Sequence, residues 1–225
     1  MKALYQDPDL LIIDKPAGLA DPASELTKEF PELLKVGGKD RGACHRLDVG
    51  TSGLLVFARN EETYQKMREA FSKNRVEKEY RAVVQGTVTE KGKIDWPIGP
   101  DPKSAKRVKV YRNLKEARRN KAQEALTLFS PLRLPPLNVR GGLGGRYKAT
   151  SWLQVKIKTG RRHQIRAHLA SIGHPIVGDQ LYGGPASPTP SLGGPAADRL
   201  YLHASGLEFI HPTTGERLRL ASPFA

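Results

Sequence analysis

Residues 45–58 read HRLDVGTSGLLVFA, and this stretch joins a charged turn to an apolar strand. The run from Leu54 to Ala58 predicts a buried strand, and the glycines and hydroxyls before it are typical of a turn. Asp48 therefore lies beside Arg46 at the mouth of a strand. A carboxylate in that place either caps a turn or does chemistry, and the stretch by itself favours neither interpretation.

The segments around this stretch predict a second strand and a helix. DLLIIDK (9–15) is a short apolar run stopped by a proline and a glycine, which indicates another buried strand. Asn60 is a suitable N-cap for an amphipathic helix over residues 61–73. Its apolar positions predict these core residues: Tyr64, Met67 and Phe71.

The second half of the chain alternates short strands with one clear helix. Strands are predicted at 79–86, 107–111, 125–129 and 151–158, a helix at 163–172, and a hairpin at 207–220. Many short strands with few helices predict an α+β fold with a mixed, largely antiparallel sheet and flanking helices. A doubly wound parallel sheet is the less favoured arrangement.

Length and composition predict one compact domain spanning residues 1–225, with room for two lobes. The 225 residues are 38% hydrophobic, which is enough for a real core and too short for several domains. Two segments rich in Gly and Pro, 131–147 and 183–197, are predicted to be flexible loops.

The charge balance predicts a polyanionic partner. The formal net charge is +14, and many of the cations are arginines, whose planar fork suits phosphate. We favour nucleic acid over the alternative of a merely soluble basic protein. The single cysteine, the acidic start and the lack of a long apolar run predict a cytoplasmic protein that does not enter a membrane.

Several short patterns resemble known motifs but lack residues that those motifs require. GGLGG (141–145) lacks the Gly-Lys-Ser/Thr of a P-loop and the third glycine of a dinucleotide fingerprint. His163 and His168 are five residues apart and cannot share one metal-binding helix face, so no metal site is predicted. A Ser-His-Asp triad stays open by composition, although no nucleophile elbow is present.

The stretch TGRRHQIRAH predicts an anion site at a strand-to-helix turn. Its first helical turn would carry Arg161, Arg162 and His163, and a helix start with arginines attracts a phosphate or a carboxylate. Arg162 and Arg166 are four apart and are predicted to share a face. Asp48 is a candidate for the carboxylate, which such arginines would keep ionised.

The chain resembles the RluA-like pseudouridine synthases in five stretches, which occur in the family's order over almost the whole length. They are LLIIDKPAGL, HRLDVGTSGLLVFAR, KEYRAVVQG, TGRRHQIRAHLASIGHPIVGDQLYG and LYLHASGLEFIHPTTGE. The resemblance implies the catalytic fold of that family, with a central active-site cleft. It also implies a compact form without an added N-terminal RNA-binding domain.

The resemblance implies an enzyme that isomerises a specific uridine in structured rRNA or tRNA to pseudouridine without a metal or organic cofactor. It makes Asp48 the catalytic nucleophile, Tyr80 the tyrosine that packs on the base and shuttles a proton, and Arg166 the basic partner of the aspartate. Arg46 would hold the flipped nucleotide, and Leu202 would form the apolar floor of the pocket. The further substrate-binding residues are Arg161, Arg162 and His163.

Each role has a structural alternative. Tyr80 alone would be an ordinary strand aromatic, Arg166 a helix-surface charge, and His163 the cap of its helix, an alternative preferred to catalysis. Only the ordered set favours chemistry. Two other functions stay open, an RNA-binding factor with idle catalysis and a hydrolase that uses Asp48. We expect a monomer.

Overall fold

The computed structural model describes residues 1–135, 139–140, 147–184 and 199–224. The chain forms two compact units. The first consists of Met1–Glu79 and His203–Ala225, and the second of Tyr80–Leu202. The single domain expected from the sequence stays a prediction.

The first unit is a mixed sheet with short helices. Its strands are β1 (Lys2–Gln6), β2 (Leu10–Lys15), β3 (Ser52–Ala58), β12 (Leu202–Ile210) and β13 (Arg217–Ala221), in the order β1-β2-β3-β12-β13. Its helices are α1 (Pro22–Leu26) and α2 (Glu61–Ser72), with 3-10 turns at Pro31–Lys35 and Gly38–Asp40. β12 runs parallel to β3, whereas β1–β2, β2–β3 and β12–β13 are antiparallel.

The apolar runs of β2 and β3 are continuous because both faces of these strands are covered. Successive side chains of a strand point to opposite faces. Leu10 and Leu54 therefore belong to one cluster, which includes Met67 of α2, and Leu11 and Leu55 belong to another. A strand covered on both faces has no polar side, so the two predicted buried strands are confirmed.

Helix α2 begins as the sequence predicted. The Asn60 side chain accepts a hydrogen bond from the Thr63 amide, which satisfies one of the unpaired donors of the first turn. Tyr64 and Met67 are buried, and Phe71 packs against the same cluster as a partly buried residue. The predicted helix and its core face are confirmed.

The second unit has a four-stranded sheet, in which β11–β8 and β8–β5 are antiparallel, and two small hairpins. Its strands are β4 (Glu77–Gln85), which begins in the first unit, β5 (Gly92–Ile94), β6 (Ile98–Asp101), β7 (Ser104–Val110), β8 (Thr127–Leu132), β9 (Val139–Arg140), β10 (Tyr147–Lys148) and β11 (Thr150–Ile157). The sheet order is β4-β11-β8-β5, and β6–β7 and β9–β10 form the hairpins. The helices are α3 (Leu114–Arg119) and α4 (Gln164–Ser171).

Strand β11 alternates as predicted. Leu153, Val155 and Ile157 are buried, whereas Lys156 between them is exposed. Ile165 and Leu169 of α4 are also buried. The half-buried strand and the apolar face of the helix are therefore confirmed.

The loop predicted at 131–147 is wrong in part. Strand β8 continues through Leu132, and Val139–Arg140 pairs with Tyr147–Lys148. Pro131 is tolerated in β8 because β5 pairs with this strand only from Thr127 to Phe129. At Pro131 that side of β8 is an edge, so the missing N–H costs no hydrogen bond to β5. GGLGG and most of the predicted loop at 183–197 lie outside the described residues.

The α+β class with a mixed, largely antiparallel sheet is confirmed. Among the described residues, no helix is both long and apolar enough to cross a bilayer.

Candidate active site

The turn that carries Asp48 is fixed by backbone hydrogen bonds. The Thr51 amide donates to the Asp48 carbonyl at 3.0 Å, and the Gly18 amide donates to the Val49 carbonyl at 2.8 Å. Gly53, the second residue of β3, has φ +109° and lies so close to β12 that a Cβ there would collide with the Ala204 backbone. The turn is therefore held from both sides, with a half-buried Asp48.

Lys15 is a buried cation behind this turn, and its role was missed from the sequence. The residue is 2% exposed, and Nζ donates to the carbonyls of Pro16, Leu19 and Val49 at 3.0, 3.1 and 3.0 Å. Three carbonyls use the three protons of the ammonium group. Burial lowers the pKa of Lys15 to about 8, and the charge of Asp48 acts in the opposite direction. A lysine at the end of an apolar strand was the only signal in the sequence.

His45, the first residue of the HRLD motif, is structural. Its Nε2 accepts a hydrogen bond from the Val56 amide at 3.2 Å, and its ring stacks on Phe71 with centroids 4.4 Å apart. Burial is the main cause that lowers the pKa of His45 to about 3, so the ring is neutral. A neutral ring whose acceptor nitrogen is occupied is unsuited to acid–base chemistry.

A buried polar chain anchors the start of β3. Ser52 Oγ and His203 Nδ1 are 2.9 Å apart, His203 Nε2 lies 3.1 Å from Ser222 Oγ, and Ser222 donates to Asp14 at 2.9 Å. This order resembles a Ser-His-Asp relay. However, Ser52 is 7% exposed and His203 1%, so the hydroxyl is closed to a substrate. The chain ties β3, β12 and the C-terminal segment together.

The strand-to-helix turn of the second unit differs from its prediction. His163 has φ +51° and occupies the N-cap position, but its side chain makes no capping bond. Helix α4 begins at Gln164, so Arg161 and Arg162 precede the helix. The predicted face shared by Arg162 and Arg166 is therefore wrong, because a left-handed residue separates them.

Gln164, and not His163, makes the side-chain hydrogen bonds that hold this turn. It is 3% exposed, and its Oε1 accepts from the Thr159 hydroxyl at 2.8 Å and from the Arg161 amide at 3.1 Å. Its Nε2 donates to the Leu126 carbonyl at 3.0 Å. One buried amide thus joins the end of β11, the turn and the approach to β8.

The two arginines before the helix brace neighbouring segments. Arg161 Nε donates to the Glu124 carbonyl at 3.0 Å. Arg162 donates to the carbonyls of Ala105 and Lys106 on β7 at 3.1 and 2.7 Å. Both residues are exposed, so the prediction that they also bind RNA remains compatible with these contacts.

Arg166 is held in a compact cluster of the second unit. Its Nε and Nη2 donate to the two carboxylate oxygens of Asp179 at 2.7 and 2.9 Å. The guanidinium lies over the Tyr182 ring, 5.3 Å from the centroid. The Tyr182 hydroxyl accepts from the Val108 amide at 2.8 Å and lies 3.1 Å from His163 Nδ1. Asp179 was missed because a partner 13 residues away has no periodic signal.

Tyr80 and Leu202 lie on segments joined by backbone bonds. Tyr80 is in β4 and is 8% exposed, and Leu202 is 4% exposed. The Val83 amide of β4 donates to the Tyr201 carbonyl at 3.0 Å, which brings the residue before Leu202 onto this strand. Both side chains are thus buried members of the second unit.

The predicted residues divide between the units. Arg46 and Asp48 belong to the first, and the other six belong to the second: Tyr80, Arg161, Arg162, His163, Arg166 and Leu202. Within its own unit, Arg166 forms an ion pair with Asp179. The predicted pairing of Arg166 with Asp48 stays a prediction.

One group in the first unit has the composition of a metal site. Ligand atoms of Asp7, Asp9 and His211 lie within 4.8 Å of one another. His211 Nδ1 accepts from the amides of Thr213 and Thr214, so the proton is on Nε2, which faces Asp7 at 2.9 Å. The ring therefore offers no lone pair to a cation in this arrangement, and the two carboxylates accept hydrogen bonds from Tyr5 and Asn60.

The match to known proteins decides the family. Residues 9–171, well over half of the chain, match the family described as RNA pseudouridylate synthase. The chain belongs to this family. The RluA-like resemblance is confirmed, and the protein is an enzyme that isomerises uridine in RNA to pseudouridine.

Relatives of this pseudouridine synthase differ in their named substrates. An uncharacterized RNA pseudouridine synthase of Mycobacterium bovis is 35% identical over 100% of this chain and 69% of its own length. Ribosomal large subunit pseudouridine synthase D of Xanthomonas campestris is 35% identical over 99% of this chain and 66% of its own length. tRNA pseudouridine synthase C of Haemophilus ducreyi is 34% identical over 97% of this chain and 89% of its own length.

A solved structure agrees with the sequence relatives. Human RNA pseudouridylate synthase domain containing 1 superposes with a TM-score of 0.72 at 26% identity, covering 98% of this chain and 82% of that one. The described architecture is therefore that of a pseudouridylate synthase domain.

Proposed function

We propose that this pseudouridine synthase modifies a specific uridine in a locally structured element, such as a stem-loop, of rRNA or tRNA. The named relatives act on large-subunit ribosomal RNA or on tRNA, which supports these two substrate classes. A base in a loop is easier to extrude than a paired base, because less stacking and pairing is lost. An RNA substrate and a single cysteine, Cys44, are both consistent with work in the cytoplasm.

Asp48 is the proposed nucleophile. The observation that carries this assignment is the clamped turn, which holds a half-buried carboxylate in a chain of this family. In the overall reaction, the bond between C1′ and N1 breaks, the uracil turns, and a bond between C1′ and C5 forms. N1 gains a proton and C5 loses one, so the product is an isomer. A carboxylate can support this exchange as a nucleophile that attacks C1′ or the ring of the base and is released again when the C1′–C5 bond has formed.

Three further residues are proposed to contact the base or the nucleophile: Tyr80, Arg166 and Leu202. Tyr80 offers an aromatic face with a hydroxyl that can move the C5 proton. Arg166 is a guanidinium suited to a carboxylate partner, and we propose that it serves Asp48. Leu202 is a buried apolar side chain that suits the floor of a base pocket.

The RNA backbone is proposed to bind exposed cations. Arg46, which precedes Asp48 by two residues, is exposed and would hold the flipped nucleotide. In the second unit we propose Arg161, Arg162 and His163 for this role, and Arg162 is bonded to the β6–β7 hairpin. That hairpin adds two further exposed cations, Lys103 and Lys106. Phosphate contacts of this kind position an RNA without reading its sequence.

The two other functions are less well supported. A factor with idle catalysis has no need of the ordered set of Asp48, Tyr80 and Arg166. A hydrolase would need a metal or a second reactive carboxylate. Within the described residues, the candidate ligand group of Asp7, Asp9 and His211 has its histidine proton directed at Asp7, so the ring is not available to a metal.

The test is pseudouridine mapping of rRNA and tRNA from a deletion strain. We expect one position, or a few related positions, to lose pseudouridine and to regain it when the wild-type gene is restored. The gene for Asp48→Asn should not restore it. An identical pseudouridine map with and without the protein would refute the proposal, and loss at unstructured sites only would refute the stem-loop preference.

A further inference from the structure

Asp179 makes a two-point contact with Arg166 that is shielded from water. The Asp179 side chain is 0% exposed, and that of Arg166 is 13% exposed. Both carboxylate oxygens take part, one with Nε at 2.7 Å and the other with Nη2 at 2.9 Å. Parallel contacts of this type fix the plane of a guanidinium as well as its position.

Asp179 is itself immobilised by its own segment. Its Oδ1 accepts from the amides of Leu181 and Tyr182 at 3.2 Å each, and its backbone carbonyl accepts from Gly184 at 2.7 Å. The preceding Gly178 has φ +78°, and a Cβ there would collide with the Arg199 carbonyl. The carboxylate therefore offers Arg166 a rigid support.

A second support acts on the face of the guanidinium. Tyr182 lies against Arg166, and its hydroxyl is bonded to the Val108 amide and lies beside His163. One edge of the Arg166 group is thus held by a carboxylate and one face by an aromatic ring. A flexible side chain held in this way loses its rotational freedom before any substrate binds.

We propose that Asp179 is the positioning residue of Arg166, and that it orients the guanidinium for its proposed pairing with the carboxylate of Asp48. This inference rests on the proposed function. Asp179 is not a catalytic residue, because its buried oxygens are occupied by Arg166 and by backbone amides and do not reach a substrate. The buried charge of Arg166 is also balanced by Asp179, so the cation is stable in place.

The first test compares turnover with binding. We expect Asp179→Asn to lower the single-turnover rate by about 10- to 100-fold, since small misplacement of a catalytic group has effects of this size. The Kd for the same RNA should change by less than about twofold. In the Arg166→Lys background, Asp179→Asn should add less than about twofold, because it acts only through Arg166.

Asp101→Asn is the matched control. Asp101 pairs with Arg107 Nε at 2.6 Å in the same unit, and its side chain is 7% exposed. The variant makes the same change of charge and also breaks an arginine–aspartate pair. We expect it to leave the single-turnover rate within about twofold of wild type, because the Asp101 carboxylate is bonded to Arg107 and to the Lys103 amide and not to Arg166.

The second test observes the arginine directly. In nitrogen-15 spectra, the Arg166 Nε–H signal, assigned by its loss in Arg166→Lys, should exchange slowly in the wild type and rapidly in Asp179→Asn. Wild-type turnover in Asp179→Asn, a full multiplicative loss in the double variant, or an unchanged Nε–H signal would each overturn the inference. A wild-type protein that makes no pseudouridine would refute the proposed function, and the spectra would still decide whether Asp179 orients Arg166.

Discussion

At the scale of single residues, Lys15 stabilises the turn that carries Asp48 by a hydrogen bond to the Val49 carbonyl. The neutral amine has two protons for three carbonyls, so deprotonation releases one of the contacts. Burial lowers the pKa of Lys15 from 10.5 to about 8. We therefore expect the single-turnover rate to fall as the pH rises through about 8, after correction for any ionisation of the RNA.

The same ionisation predicts the opposite trend for stability. Between about pH 8 and 10.5 the unfolded lysine keeps a proton that the folded one has lost, so this group's contribution to the free energy of unfolding increases with pH. Rates and thermal unfolding should be measured from pH 7 to 9 for the wild type and Lys15→Met, with exposed Lys39→Met as control. An alkaline fall that is identical in Lys15→Met would contradict the assignment.

Tyr80 is expected to matter for turnover more than for binding. Tyr80→Phe removes only the hydroxyl, so the aromatic face remains, and a proton-transfer role predicts a lower kcat with a nearly unchanged Kd. Tyr111→Phe is the control, because Tyr111 is also buried in the second unit and its hydroxyl donates to the Pro100 carbonyl. An unchanged kcat in Tyr80→Phe would reduce Tyr80 to a stacking surface.

At the scale of elements, Gln164 holds the strand-to-helix turn together. Gln164→Leu would leave the Thr159 hydroxyl, the Arg161 amide and the Leu126 carbonyl without this partner. We expect the free energy of unfolding to fall by about 2–4 kcal/mol, since unsatisfied buried groups are costly. Urea denaturation of this variant and of Gln65→Leu, at an exposed position of α2, measures the effect. Equal midpoints would contradict it.

The elements that the sequence predicted well are those with local signals. Strands β2 and β3 are uniformly apolar because both their faces are covered, and α2 has a side-chain cap at Asn60. The start of α4 was placed too early, because His163 adopts a left-handed conformation and the helix begins only at Gln164. Short elements such as β5 and β6 have too few residues for a period.

The candidate site was predictable only where a motif carries it. Asp48 could be singled out from the turn, although its choice as nucleophile came from the family resemblance. Lys15 and Asp179 had no such signal from periodicity, because their partners are backbone carbonyls and an arginine 13 residues away. Contacts of this kind depend on tertiary structure and leave no local pattern.

At the scale of the whole molecule, the net charge of +14 governs the encounter with RNA. Each phosphate neutralised on a single strand contributes a slope of about −0.7 to the logarithm of affinity against the logarithm of salt concentration. For a hairpin that copies the mapped site, we expect the affinity to fall steeply as the salt concentration rises from roughly 50 to roughly 300 mM. Filter binding measures it, and an affinity that does not change with salt would contradict phosphate binding.

The central claim is that Asp48 does chemistry, and Asp48→Asn tests it most directly. Asparagine also stabilises turns, so the turn bonds through Thr51 and Val49 should survive, whereas the anionic oxygen is lost. The measurement is single-turnover pseudouridine formation on the mapped hairpin, read by nucleoside chromatography, with circular dichroism and filter binding as controls. We expect a folded protein that binds RNA and makes no pseudouridine. Pseudouridine formation by Asp48→Asn at near the wild-type rate would contradict the account.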